Sequence, residues 1–133
     1  MALGAKEKTM KSRLLFALLL LSLLSCTSRT ENRRYIGAWR ATTDRGEVVT
    51  WHFTENMLEV RVKDQSFSSE YKLDTTKEPA WIDFKTKDES VRAIIEFTSR
   101  TSFRALGVDR DDKPRPSTFD DGKEVLRFER IPD

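Results

Sequence analysis

Cys26 and His52, the one cysteine and the one histidine in the chain, are the side chains best suited to nucleophilic or metal chemistry. A thiolate attacks electrophiles and binds soft metals, and an imidazole serves as a general base or metal ligand near neutral pH. Both roles need partners. A transition-metal site takes several nitrogen or sulfur ligands, and the chain offers no second histidine or cysteine. His52 lies between Trp51 and Phe53 on the polar side of an alternating run, so it reads as a surface residue. The acidic loop "DRDDKPRPSTFDD", Asp109 to Asp121, invites an oxygen-ligand reading, with Asp109 and Asp111 at i, i+2. An EF-hand needs Gly at its sixth position and Glu at its twelfth, where this chain has Pro114 and Asp120. Only a looser set using Asp120 and Asp121 would remain, and solvated loop charge is the simpler reading. Asp88 and Glu89 fall in a turn, where acidic residues are common anyway. No G-x-S-x-G, P-loop or H-E-x-x-H pattern occurs. The expectation is a protein that is not an enzyme and that holds no metal and no cofactor.

The setting of Cys26 suggests a different chemistry. Leu14 to Leu24 is an apolar run interrupted only by Ser22. A membrane-spanning helix needs about 20 apolar residues, so this run is too short. It fits the h-region of a signal peptide, preceded by Lys11 and Arg13, with Met10 an alternative start to Met1. Its end, "LLSC", resembles the bacterial lipobox: aliphatic Leu23 three residues before the cysteine and small Ser25 just before it. Leu24 departs from the usual Ala or Ser. The resemblance implies cleavage before Cys26 and a lipid, palmitate included, on its thiol. Residues 1–25 would then be a signal peptide and 26–34 a tether. Several acyl chains on one residue meet the requirement for stable anchoring. The implied location is the bacterial cell envelope. In a Gram-negative host it would be the outer membrane, since Thr27 and not Asp follows the cysteine. Lipidation would also leave the folded part without a thiol.

The leader distorts the charge balance. The chain has 24 basic and 22 acidic side chains, a formal charge of +2. Lys6, Lys8, Lys11 and Arg13 stand in residues 1–25 against Glu7 alone, so the remainder is near neutral, with one acid in excess. Its charges alternate in sign. A nucleic-acid binder needs a basic face to displace counterions from phosphates, and none is present.

Positioning falls to strands. From Arg34 onward apolar residues recur with period two between turn signals. The runs are "YIGAWRA", "EVVTWHF", "MLEVRV", "FSSEYKL", "AWIDFKT", "VRAIIEF", "SFRALGV" and, after the long polar loop, "EVLRFERI". Eight short strands in series predict an all-β fold, an eight-stranded antiparallel up-and-down barrel or a sandwich, following the N-terminal signal peptide. Alternation points Trp39, Trp51, Phe53, Val60, Tyr71, Ile82, Phe84, Ile95, Phe103 and Phe128 inward. Trp81 and Ile94 fall on the other face, as a contact patch or the cover of an open end.

Three segments resemble a lipocalin-like family, uncharacterised and common among planctomycete paralogues. "GAWRA" at Gly37 to Ala41 is similar to the G-x-W signature of lipocalin-like barrels. "LDTTKEPAWIDF" at Leu73 to Phe84 resembles the family's D-x-T-K-x-P-x-x-I-D stretch. "RPSTF" at Arg115 to Phe119, with "VLRFER", resembles its R-P-T-x-F loop and terminal strand. The chain departs where the family has a Gly-rich hairpin, showing Ser99-Arg100 instead. The resemblance spans Tyr35 to Ile131 and implies a lipocalin-like β-barrel domain over 35–133. It further implies a structural pair at the barrel end, Arg130 lying across Trp39.

Such a barrel is just wide enough to fill with side chains or to hold one small ligand. Small residues at Ser69, Ala93, Ala105 and Gly107 leave room near one end. The first functional expectation is therefore a membrane-anchored lipoprotein binding a small apolar ligand among Trp51, Phe53, Tyr71 and Phe84. The alternative is a protein-interaction module, an inhibitor, adaptor or envelope-assembly factor, with a filled core and exposed Trp81 and Ile94 meeting an envelope protein partner.

Overall fold

Strand follows strand because most of the short apolar-alternating runs end in a turn that the backbone can close tightly. In the computed structural model, which describes residues 33–109, 112–121 and 124–133, nine strands form one antiparallel sheet. They are β1 (Gly37–Thr42), β2 (Val48–Phe53), β3 (Met57–Val62), β4 (Gln65–Glu70), β5 (Lys72–Asp74), β6 (Ala80–Thr86), β7 (Glu89–Ser99), β8 (Ser102–Val108) and β9 (Leu126–Arg130). Two connections are the two-residue turn Lys-Asp, with Lys63 at φ 55° and Lys87 at φ 52°. A left-handed residue in so short a loop matches the twist of the flanking strands. Cys26 and the segments 1–25 and 26–32 lie outside the described residues.

Neighbours in the sheet are neighbours in sequence, with one exception: β1 also pairs β9, Trp39 opposite Arg130. The order β4-β3-β2-β1-β9-β8-β7-β6-β5 leaves β4 and β5 at its two ends, and these are consecutive in the chain. The sheet therefore curls into a nearly closed barrel. The run expected as one strand, Phe67 to Leu73, is divided at Tyr71: β4 pairs β3, and β5 pairs β6. Across the seam between β4 and β6 the Lys85 N–H donates to Ser69 Oγ at 2.9 Å.

Inside, the alternation works as expected. Trp39, Val49, Trp51, Phe53, Leu58, Val60, Ile82, Phe84, Ala93, Ile95, Phe103, Ala105 and Phe128 are buried in one cluster with Tyr35 and Ala41. Tyr35–Asp133 packs as one compact unit. Aromatic rings concentrate towards one end. Phe103 stacks on Phe128 with centroids 4.8 Å apart and meets Trp39 edge-on at 4.7 Å. Tyr35 lies against Phe97 at 4.3 Å, and Phe53 meets Tyr71 at 5.2 Å. Offset and edge-on ring pairs add roughly 0.5–1.5 kcal/mol each beyond area burial, so this end is a plug.

Arg130 seals the plug. Its guanidinium carbon stands 4.3 Å from the Trp39 ring centroid, and its Nη1 donates to Ile36 O at 3.1 Å. The Trp39 indole N–H donates to Tyr35 O at 2.8 Å. Gly37 is required beside them for two reasons. Its φ is +127°, where side chains are strained, and a Cβ there would stand 2.7 Å from Arg130 Nη1.

The outer face holds a surprise. Ile94, expected as an exposed contact residue, is fully buried with Leu106 and Phe119, with Val125 packed against them. Its cover is the described part of the polar loop after β8, residues 112–121, which crosses the outside of β6, β7 and β8 as a strap. Arg115 fastens it: Nη1 donates to Ala93 O at 2.7 Å and Ile82 O at 3.2 Å, and Nη2 pairs with Asp83 at 2.5 Å. The Arg115 guanidinium also lies 4.7 Å from the Trp81 ring. Further along, Arg104 covers the Phe119 ring at 4.0 Å while pairing with Glu96 at 2.9 Å. Arg92 donates to the Lys113 carbonyl.

Candidate functional site

The end opposite the plug is hollow. A cavity of about 420 Å³ opens there, within the 300–1,000 Å³ typical of small-molecule sites. Trp51 and Phe84 form its floor, touching at 5.2 Å between centroids. Val49, Val60, Val62, Val91 and Leu126 make the walls. One side is cut back by Ala93, Ala105 and Gly107. Ala93 and Gly107 are direct partners across β7 and β8, so two small residues sit side by side where a barrel would otherwise fill. At Gly107 a Cβ would come within 3.1 Å of Ala93 Cβ. The rim is polar: Thr43, Thr86, Asp109 and Glu124. Glu124 Oε1 is fixed by the Asp44 N–H at 3.0 Å.

The four aromatic residues expected around a ligand divide between two regions. Trp51 and Phe84 line the cup. Phe53 is fully buried in the plug. Tyr71 sits at the seam, and its hydroxyl donates to Thr54 O at 2.8 Å. Burial, reinforced by the Glu55 carboxylate, pushes the Tyr71 phenol above its usual pKa. Trp51 and Phe53 are two residues apart on one strand and point the same way. Alternation therefore reports facing but not depth, and the small residues Ala93, Ala105 and Gly107 were the better guide to where space remains.

A second hollow of about 560 Å³ lies along the seam, lined by Ser69, Tyr71, Lys72, Lys85 and Arg92 among others. Phe84 and Val91 border both hollows. Ser69, expected to leave interior room, opens onto this groove instead.

Elsewhere the sequence candidates stay apart. His52 is on the outer surface, opposite Glu59 in the β2–β3 ladder. Asp109 and Asp120 are exposed, Asp111 lies outside the described residues, and no group of three or more His, Cys, Asp or Glu side chains is placed to hold a metal ion among the described residues. Asp88 and Glu89 are exposed at the β6–β7 turn. Trp81 remains 40% exposed, with Lys77 over its ring at 4.8 Å in addition to Arg115. The Asp74 carboxyl is held below its usual pKa by the Thr76 hydroxyl and N–H, an Asx turn that starts the loop before β6.

Fold and site together define an antiparallel all-β barrel, plugged at one end and cupped at the other. No protein family, curated protein or solved structure matches the chain.

Proposed function

We propose that this protein binds a small apolar ligand in the cup and acts as a carrier or sensor, without catalysing a reaction. The observation that carries the reading is the pairing of a packed aromatic plug with an apolar, solvent-open hollow of about 420 Å³. A core that merely completes folding gains from filling such space, since dispersion contacts are lost at every unfilled wall. We read the barrel as lipocalin-like, counting β4 and β5 as one strand bent at Tyr71. The Gly37–Trp39–Arg130 cluster supports that reading, as does the strap carrying "RPSTF". The rival reading, an interaction module with a filled core, has less support: Ile94 lies under the strap and the core is not filled.

Val62 is half-buried on the cup wall, so Val62→Phe fills the hollow without disturbing the plug. A neutral environment-sensitive dye should bind the wild-type chain with a blue-shifted emission. Binding to the variant should weaken at least about tenfold, the loss expected when roughly 1.4 kcal/mol of apolar contact is displaced. Equal binding by both chains would move the site away from the cup.

We further propose that the domain is held on a bacterial membrane surface by lipid on Cys26, a reading supported by the apolar run and "LLSC". Metabolic labelling with a palmitate analogue should mark the wild-type protein and not Cys26→Ser. An unlabelled wild type would remove the anchor.

A further inference from the structure

We infer that the cup prefers ligands whose apolar body carries a cationic head and discriminates against carboxylates of the same shape. This rests on the cup reading and refines it to a ligand class. Among the described residues fifteen line the hollow, and the charged ones among these fifteen are Asp109 and Glu124, both at the rim. Thr43 and Thr86 share the rim with them, and the other described lining residues below are apolar. A ligand that buries its apolar body against Trp51 and Phe84 must leave its polar end at that rim. There it meets two carboxylates and two hydroxyls.

Glu124 is not a freely waving surface acid. Its Oε1 accepts the Asp44 N–H at 3.0 Å, which holds the carboxylate at the mouth. Thr43 is likewise fixed, its Oγ1 accepting the Glu47 N–H at 3.1 Å. Among the described residues the cations in the turns at this end are not part of the lining: Arg45 is exposed between β1 and β2. Lys63 is paired with Glu47 at 3.0 Å, and Lys87 stands in the β6–β7 turn. An ammonium at the rim is therefore attracted by two charges of opposite sign, and a carboxylate is repelled by both. Both effects fade with salt, because the rim faces water.

Three shape-matched probes test this on the full chain: 1-adamantanamine, 1-adamantanol and adamantane-1-carboxylate, measured by displacement of the neutral dye at neutral pH and low salt. The amine should bind at least about tenfold more tightly than the carboxylate, with the alcohol between them, a ratio consistent with exposed charge pairs at a few ångströms. In Asp109→Asn/Glu124→Gln the amine-to-carboxylate ratio should fall close to one while the alcohol still displaces the dye. Raising the salt should shrink the wild-type ratio. Equal binding of amine and carboxylate, tighter binding of the carboxylate, or a ratio that survives in the double variant would overturn the charge preference and leave the cup standing. Failure of all three probes to displace the dye would overturn both.

Discussion

Trp39→Ala should cost about 3–5 kcal/mol of folding stability, as expected for deleting a fully buried aromatic side chain. Trp39 is completely buried, and its loss does more than open a cavity. Tyr35 O loses its indole donor, Arg130 loses the ring face it lies across, and Phe97 and Phe103 lose an edge contact. A domain near one hundred residues has only about 5–15 kcal/mol to lose, so the midpoint of thermal unfolding should drop by roughly 15–30 °C. Trp39→Phe keeps a ring under Arg130 and should recover most of that loss. Thermal and urea unfolding followed by circular dichroism read both variants. A loss below about 1 kcal/mol for the alanine variant would mean that the plug does not hold the barrel.

The second large effect is local. Arg115→Ala removes the fastening of the strap and should cost about 1.5–3 kcal/mol, the range for hydrogen bonds to a charged group. The Arg115 side chain is 14% exposed and Asp83 is 47% exposed, so water can take over the freed carboxylate and the upper end is not expected. The informative readout is position. Amide exchange should speed up over residues 112–121 and at Ile94 and Leu106, while β1 to β3 stay protected. Arg115→Lys should restore little, because one ammonium cannot reach two carbonyls and a carboxylate while lying flat on Trp81. Unchanged exchange in the alanine variant would show that Phe119, with the Arg92 and Arg104 contacts, holds the strap without Arg115.

These two sites show what was legible in the sequence. Trp39 and Arg130 were readable because a strand's alternation fixes facing, and the G-x-W resemblance supplied the end of the barrel at which they meet. The strap was not readable. Its composition is polar, and one phenylalanine among "DRDDKPRPSTFDDGK" gives no period. Ile94 looked misplaced because its cover lies 25 positions further along the chain, at Phe119. The split at Tyr71 was hidden for the opposite reason. An aromatic residue between Glu70 and Lys72 continues a period-two pattern perfectly well, and only the change of partner strand, from β3 to β6, reveals the bend. The cup was half-legible: Ala93, Ala105 and Gly107 marked a thin wall, while the four large aromatics could not be ranked by depth.

The β1–β9 ladder has a kinetic consequence. Strands β1 to β4 and β5 to β9 are two meanders in which each strand pairs with its sequence neighbour, so both arrays can zip locally, hairpin by hairpin. Joining them through β1 and β9 is different, because Arg130 meets the carbonyl of Ile36 across 94 positions of chain. Closing so long a loop costs roughly 2.5 kcal/mol more than closing a six-residue turn. Non-local pairings of this kind set the pace of folding in all-β proteins. The arginine–indole stack, favourable by about 0.5–2 kcal/mol, sits at that junction. It offsets part of the closure cost and does so only when the two strands meet in register, so the clasp that seals the plug also rewards the correct ending of the folding reaction.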